Sequence, residues 1–193
     1  MSSASQNPDK TMNYAVSGVK DHGDLAVSAG GFVNNYRSEP DNFNPNAPQF
    51  SVAGGSVGVS HAAGHAASVT AQHIPTFGNQ VTTAAKVNVL ATDNHRVDVN
   101  AFTTHNMPKG PCPPFQTHGG GVDYAFKDKI TAGASMAHTP MFKQTEYSVN
   151  TGLNLHKTPT SSLNLNVGAN RVDTQFGRGN WQPGAFLGFK KTF

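Results

Sequence analysis

A two-residue rhythm of apolar and polar side chains runs through most of this chain and restricts its fold more than any other feature. Val81, Thr83, Ala85, Val87 and Val89 share one phase, with Thr82, Lys86 and Asn88 on the other. After Thr92-Asp93-Asn94 the rhythm resumes, with Val97, Val99, Ala101 and Thr103 against Arg96, Asp98 and Asn100. Successive strand side chains point to opposite faces, so a period of two predicts a sheet with one apolar face. Two such runs with a short polar joint predict a β-hairpin.

The pattern recurs downstream. Val122, Tyr124 and Phe126 lead through Lys127-Asp128-Lys129 into Ile130, Ala132, Ala134 and Met136. Tyr147, Val149, Leu153 and Leu155 lead through Lys157-Thr158-Pro159-Thr160 into Leu163, Leu165, Val167 and Ala169. A last strand is expected over 185–193, with Leu187, Phe189 and Phe193 in phase and Phe186 out of it. Sequential strands with short joints pair antiparallel with their neighbours. The expected fold is therefore all-β: an antiparallel meander, closed or half-closed into a barrel, with a sandwich as the alternative. Such a sheet is expected to bury its apolar face.

Upstream the rhythm is weaker. A hairpin is expected from 14–19 and 25–33 around Asp21-His22-Gly23, a linker over 34–49, and weaker strands over 50–59 and 66–74 interrupted at Gly54-Gly55 and at His61-Ala-Ala-Gly-His65. The stretch 106–114 holds four prolines, which predicts a connector and not a central strand. Two regions follow: 1–72, less regular, and 73–193, the meander.

Leu, Ile, Val and Phe together are about a fifth of the chain, near the ~20% floor of ordered domains. Glycine raises the entropic cost of ordering further. A thin core is expected, with a chain loosely ordered in water. Residues 1–104 carry five Lys/Arg and seven Asp/Glu, whereas 105–193 carry nine and four. The C-terminal half is thus the one suited to an anionic surface. No apolar run approaches the ~20 residues of a membrane-spanning helix, and MSSASQNPDK has no apolar core of a signal peptide.

Chemistry is hard to place on these residues. Cys112, the one cysteine, excludes an internal disulfide and has no base at a motif spacing. No Gly-x-Ser-x-Gly elbow occurs. Gly54-Gly55 and Gly119-Gly120-Gly121 lack a phosphate-loop context and read as sheet bends or close-packing points. His61 and His65 are four apart but bring no full ligand set, so they read as exposed histidines. Neither an enzyme nor a cofactor or metal site is expected. A membrane constellation is clearer. Arg171, Arg178, Lys190 and Lys191 are interleaved with Phe176, Trp181, Phe186, Phe189 and Phe193. Rings beside cations suit a water–lipid boundary. With Lys127 and Lys129 at their turn, the envelope-binding set is Lys127, Lys129, Arg171, Arg178, Trp181, Lys190, Lys191 and Phe193.

Several of these segments resemble one family. His73-Ile-Pro-Thr-Phe-Gly78, Lys86-Val-Asn-Val89, Asp93-Asn-His95 and Asn106-Met-Pro108 resemble the C-terminal region of the attacins. So do Gly121-Val-Asp-Tyr-Ala-Phe-Lys-Asp-Lys129, Ala137-His-Thr139, Leu153-Asn-Leu-His-Lys-Thr-Pro-Thr160, Trp181, Pro183 and Phe193. The resemblance is close over 73–193 and loose over 14–72. It implies an inducible antibacterial protein of insect immunity, extracellular in haemolymph. Its implied partner is the lipopolysaccharide-bearing outer membrane of Gram-negative bacteria, whose integrity it disturbs, without a nucleic-acid or specific protein partner. The family's signal peptide and propeptide have no counterpart in this chain, for which an intracellular place is the alternative, and Cys112 departs from the family pattern. The competing reading is a bacterial outer-membrane β-barrel, which shares ten-residue alternating strands. No double girdle of aromatics can be drawn from the sequence.

Overall fold

A computed structural model describes residues 1–38, 47–127, 129–158 and 161–191, apart from the side chains of Lys157, Lys190 and Lys191. Thirteen strands follow one another: β1 (Ser2–Gln6), β2 (Met12–His22), β3 (Leu25–Tyr36), β4 (Val52–His61), β5 (Ala66–Ile74), β6 (Gly78–Ala91), β7 (His95–Pro108), β8 (Phe115–Phe126), β9 (Ile130–Thr139), β10 (Gln144–Lys157), β11 (Ser161–Thr174), β12 (Gly177–Arg178) and β13 (Gln182–Lys191). A single 3-10 turn, Pro140–Phe142, joins β9 to β10. Spatial order follows sequence order from β1 to β12, and β13 also pairs with β11. The sheet is antiparallel, and among the described residues no ladder joins β1 to β13, so it is not closed. The chain divides into two compact units: 1–85 with 103–116, and 86–102 with 117–193.

Both central hairpins sit where the rhythm puts them, around 92–94 and 127–129. Three local expectations change. The linker over 34–49 begins later, because β3 runs on to Tyr36; its residues 39–46 lie outside the described ones. β4 runs unbroken through Gly54-Gly55, and Gly54 is a close-packing point: a Cβ there would stand 2.5 Å from the Ala71 carbonyl oxygen and 2.9 Å from the ring of Phe32, its ladder partner. β7 extends through Asn106-Met107 to Pro108, and the connector shrinks to 109–114. Pro108 is the strand's last residue, and the next donor, the Lys109 N–H, bonds the Phe77 carbonyl. The short strands β1 and β12 carry no alternation that the sequence could have displayed.

The largest departure concerns which face meets water. Among the described residues no apolar side chain is buried; Thr11, Asp98 and Asn106 are, at 3%, 9% and 4% exposure. In the first unit, Gln72 donates to Gln80 (2.6 Å) and Gln80 to Asn106 (2.7 Å), while Thr82 and Thr104 bond at 2.9 Å. In the second, Asn88 donates to Asp98 (2.8 Å), Arg96 pairs with Asp98 (2.9 Å), and Asn100 donates to Asp123 (2.9 Å). These polar side chains occupy one phase of their strands and satisfy one another across the ladders, as groups withdrawn from water must. The opposite phase, Val57, Val69, Val87, Val99, Val122 and Val149, is exposed. The expectation of a buried apolar face is thus reversed: among the described residues the polar phase is the one withdrawn from water and hydrogen-bonded, and the apolar phase is exposed.

Candidate functional site

Register within the second unit defines a continuous apolar face over β8–β13. Val122, Ala134, Val149 and Ala169 form one row across four strands, and Phe126, Ile130, Leu153, Leu165 and Leu187 form another. Between them lie Tyr124, Ala132, Thr151, Val167 and Ala185. None of these positions carries a charge. The opposing face holds Gly121, Gly133, Gly152 and Gly168 beside Ser135, Ser148, Asn150 and Asn166.

The expected basic residues are divided between the two ends of these strands. At one end lie Lys127 and Lys129, both exposed, beside the β8–β9 turn. Lys127 adopts a left-handed backbone (φ 47°), its N–H bonds to the Asn94 carbonyl (2.9 Å), and its Nζ stands 5.6 Å from the centre of the Phe126 ring. His95 stacks 5.0 Å from Phe126 and bonds Tyr124 Oη at 2.9 Å. Lys190 and Lys191 reach the same end, because β13 pairs them with Ser162 and Ser161. Their side chains, and Phe193 entirely, lie outside the described residues.

At the other end, Arg171 is held by three neighbours. Its guanidinium lies 4.8 Å from the Tyr147 ring and 5.2 Å from the Trp181 ring. Arg171 Nη2 donates to Asp173 Oδ2 at 3.0 Å, while Nε lies 3.0 Å from Oδ1 without an aligned bond. Asp173 Oδ1 also accepts from the Gly179 N–H (3.2 Å), which fixes the segment carrying exposed Arg178 and Trp181. Trp181 is 45% exposed. Arg171 shares a row with Tyr147 and Lys129 is level with Asn154, so at about 3.4 Å per residue the two sets of cations stand roughly 24 Å apart along β10.

The structure thus joins Arg171 and Trp181 and sets them apart from Lys127 and Lys129. Sequence reasoning missed Tyr147, Tyr124 and His95, which complete aromatic clusters at both ends. Their spacing from Arg171 or Phe126 is long in sequence and short only through register. His61 and His65 rings stand 6.2 Å apart. Among the described residues no three His, Cys, Asp or Glu side chains gather as a metal site.

Comparison with known proteins adds the following. The profile of the family described as Attacin, C-terminal region matches residues 75–193. The chain is 48% identical over 131 residues to Attacin-B of Hyalophora cecropia, covering 67% of this chain and 56% of that one. It is 47% identical over 131 residues to Defense protein 3 of Lonomia obliqua, with the same coverages. Attacin of Bombyx mori is 39% identical over 147 residues, or 75% of this chain and 69% of that one. The chain therefore spans little more than half the length of the first two. Among solved structures, an anion-selective porin from Comamonas acidovorans superposes with a TM-score of 0.58 at 12% identity, over 95% of this chain and 59% of the porin. At that identity the likeness concerns the fold alone.

Proposed function

The chain belongs to the attacin family, and on that premise we propose that it is an extracellular antibacterial immune protein. It binds the envelope of Gram-negative bacteria through lipopolysaccharide and disturbs the outer membrane without catalysis. The single observation that carries this reading is the exposed apolar face of β8–β13, charge-free across its middle and flanked by Lys/Arg at both ends. Lipopolysaccharide offers the complementary pair, phosphate groups beside acyl chains. Lys127, Lys129, Arg171, Arg178, Trp181, Lys190, Lys191 and Phe193 are the proposed contacts, within the attacin C-terminal-like region 73–193. A resident bacterial barrel would share the fold; the sequence family favours the immune reading, and solubility without detergent separates the two.

Cosedimentation with vesicles tests the proposal. Vesicles containing lipopolysaccharide should pellet the chain, and zwitterionic vesicles should not. Each cation near an anionic surface contributes about 1 kcal/mol, weakened by salt. Joint replacement Lys190→Gln and Lys191→Gln should therefore lower affinity several-fold and flatten its salt dependence. Binding that ignores both headgroup charge and salt would refute the reading. Since no apolar side chain is buried among the described residues, amide protection in buffer should be weak and rise over 81–104 and 145–171 on binding.

A further inference from the structure

An apolar sheet face can be covered by another protein layer, by a second copy of the chain, or by lipid. Four features of the second unit discriminate among these. First, the strands are long enough. A transmembrane strand needs about 9–11 residues, and β8, β9, β10, β11 and β13 have 12, 10, 14, 14 and 10. Second, the apolar positions form a band of defined height. Tyr147 to Leu155 on β10 covers roughly 27 Å along the strand, close to the ~25 Å apolar band of membrane barrels. Third, aromatic residues stand at both margins of that band. Tyr147 and Trp181 mark one margin; Phe126 marks the other, with Phe189 beyond the Leu165–Leu187 pair. Ring belts at two levels suit two water–lipid boundaries, and a protein partner would have no need of them. Fourth, cations stand at each margin: Arg171 shares the Tyr147 row with Arg178 beyond it, and Lys129 is level with Asn154 with Lys127 at the same turn, matching two layers of anionic headgroups.

We infer that β8, β9, β10, β11 and β13 cross an anionic bilayer as transmembrane strands, with their apolar face against acyl chains and the Gly/Ser/Asn face toward water. This deepens the envelope-binding reading and rests on it. The occupant of the face is the acyl core of the membrane, and the charge-free middle is the part that meets it. Arg171 is compatible with its place because its charge is paired with Asp173 and stacked on two rings at the band's margin.

Neighbouring positions of opposite phase test the inference. Val149 lies in the apolar band, and Ser135 lies on the opposite face between Gly121 and Ser148. Both are exposed, so either arginine is tolerated in water. The 193-residue chain is added to phosphatidylethanolamine–phosphatidylglycerol vesicles. Val149→Arg should lower stable insertion, read as urea-resistant and carbonate-resistant association, by at least about 30-fold, while Ser135→Arg changes it by less than about 3-fold. A second measurement needs no substitution in the sheet. Trp181, the only tryptophan, should be quenched by bromines near the headgroup and not by bromines at the acyl centre. A tryptophan introduced by Val149→Trp in the Trp181→Phe background should show the opposite depth. Wild-type binding with equal effects of both arginines, and shallow depth for both tryptophans, would overturn insertion and leave surface binding standing. Absence of any vesicle binding would overturn both. Dimerisation in buffer, abolished by Val149→Arg with no lipid dependence, would assign the face to a second copy and also overturn the inference.

Discussion

Gly152→Ala should destabilise the sheet measurably, although it adds one methyl group to a strand. Gly152 is buried on the polar face of β10, between Thr131 of β9 and Asn166 of β11. A Cβ there would stand 2.5 Å from Thr131 Oγ1 and 2.9 Å from Asn166 Oδ1. Both atoms are the ends of exposed, rotatable side chains, so relief requires Thr131 and Asn166 to turn aside together. Overpacking relieved in this way costs about 1 kcal/mol, the low end of the range. Gly184→Ala on β13 is the control. It has no heavy atom within 4 Å of the added carbon, so the change should be near neutral, or a gain of about 0.4–1 kcal/mol through the unfolded chain. Both variants are unfolded in urea in a zwitterionic micelle that covers the apolar face, followed by Trp181 emission and far-ultraviolet circular dichroism. With an m-value of about 2 kcal/mol/M, the Gly152→Ala midpoint should fall by roughly 0.5 M relative to Gly184→Ala. Equal midpoints would refute the reasoning, because the polar face would then not be close-packed in this register.

Arg171→Gln removes the charge stacked on Tyr147 and Trp181 and its pairing with Asp173; Trp181 emission should shift to the red and its acrylamide quenching should rise, with lipopolysaccharide binding reduced several-fold. Cys112→Ser should inhibit bacterial growth as the parent does, since Cys112 lies in the 109–114 connector and its Sγ donates to the adjacent Pro113 carbonyl at 3.6 Å, a bond serine can replace; a large loss would point to a reactive thiol. The Thr11 hydroxyl and backbone N–H hold the Asp9 carboxyl below its ordinary value of 3.8. Its folded value is depressed, so its contribution to holding the β1–β2 turn is complete above pH 3.8 and fades as pH falls through the lower value. Nuclear magnetic resonance titration should show this, and Thr11→Val should bring the midpoint back up.

Alternation alone located most of this fold. Val87 and Val89 against Val97 and Val99 specify a hairpin with its turn at 92–94, and the same logic holds for β8–β9 and β10–β11. This works because strand side chains alternate whatever surrounds them. The sequence also fixed that the basic and aromatic residues of the last quarter lie close along the chain. Which of them meet in space was a matter of register. Arg171 touches Tyr147 because β10 and β11 pair at that row, and Lys127 lies at the opposite margin, beyond the Phe126–Ile130–Leu153 row. The direction of the apolar face was likewise undecidable from period two, which states only that Val149 and Asn150 point apart. Tertiary structure decided it through the polar side. Glycines at 121, 133, 152 and 168 bring backbones and short polar side chains close together, and Asn, Thr and Asp on that side can hydrogen-bond one another across the ladders. Valine and leucine gain nothing comparable within a single sheet and are left facing outward, where only an apolar surrounding can satisfy them.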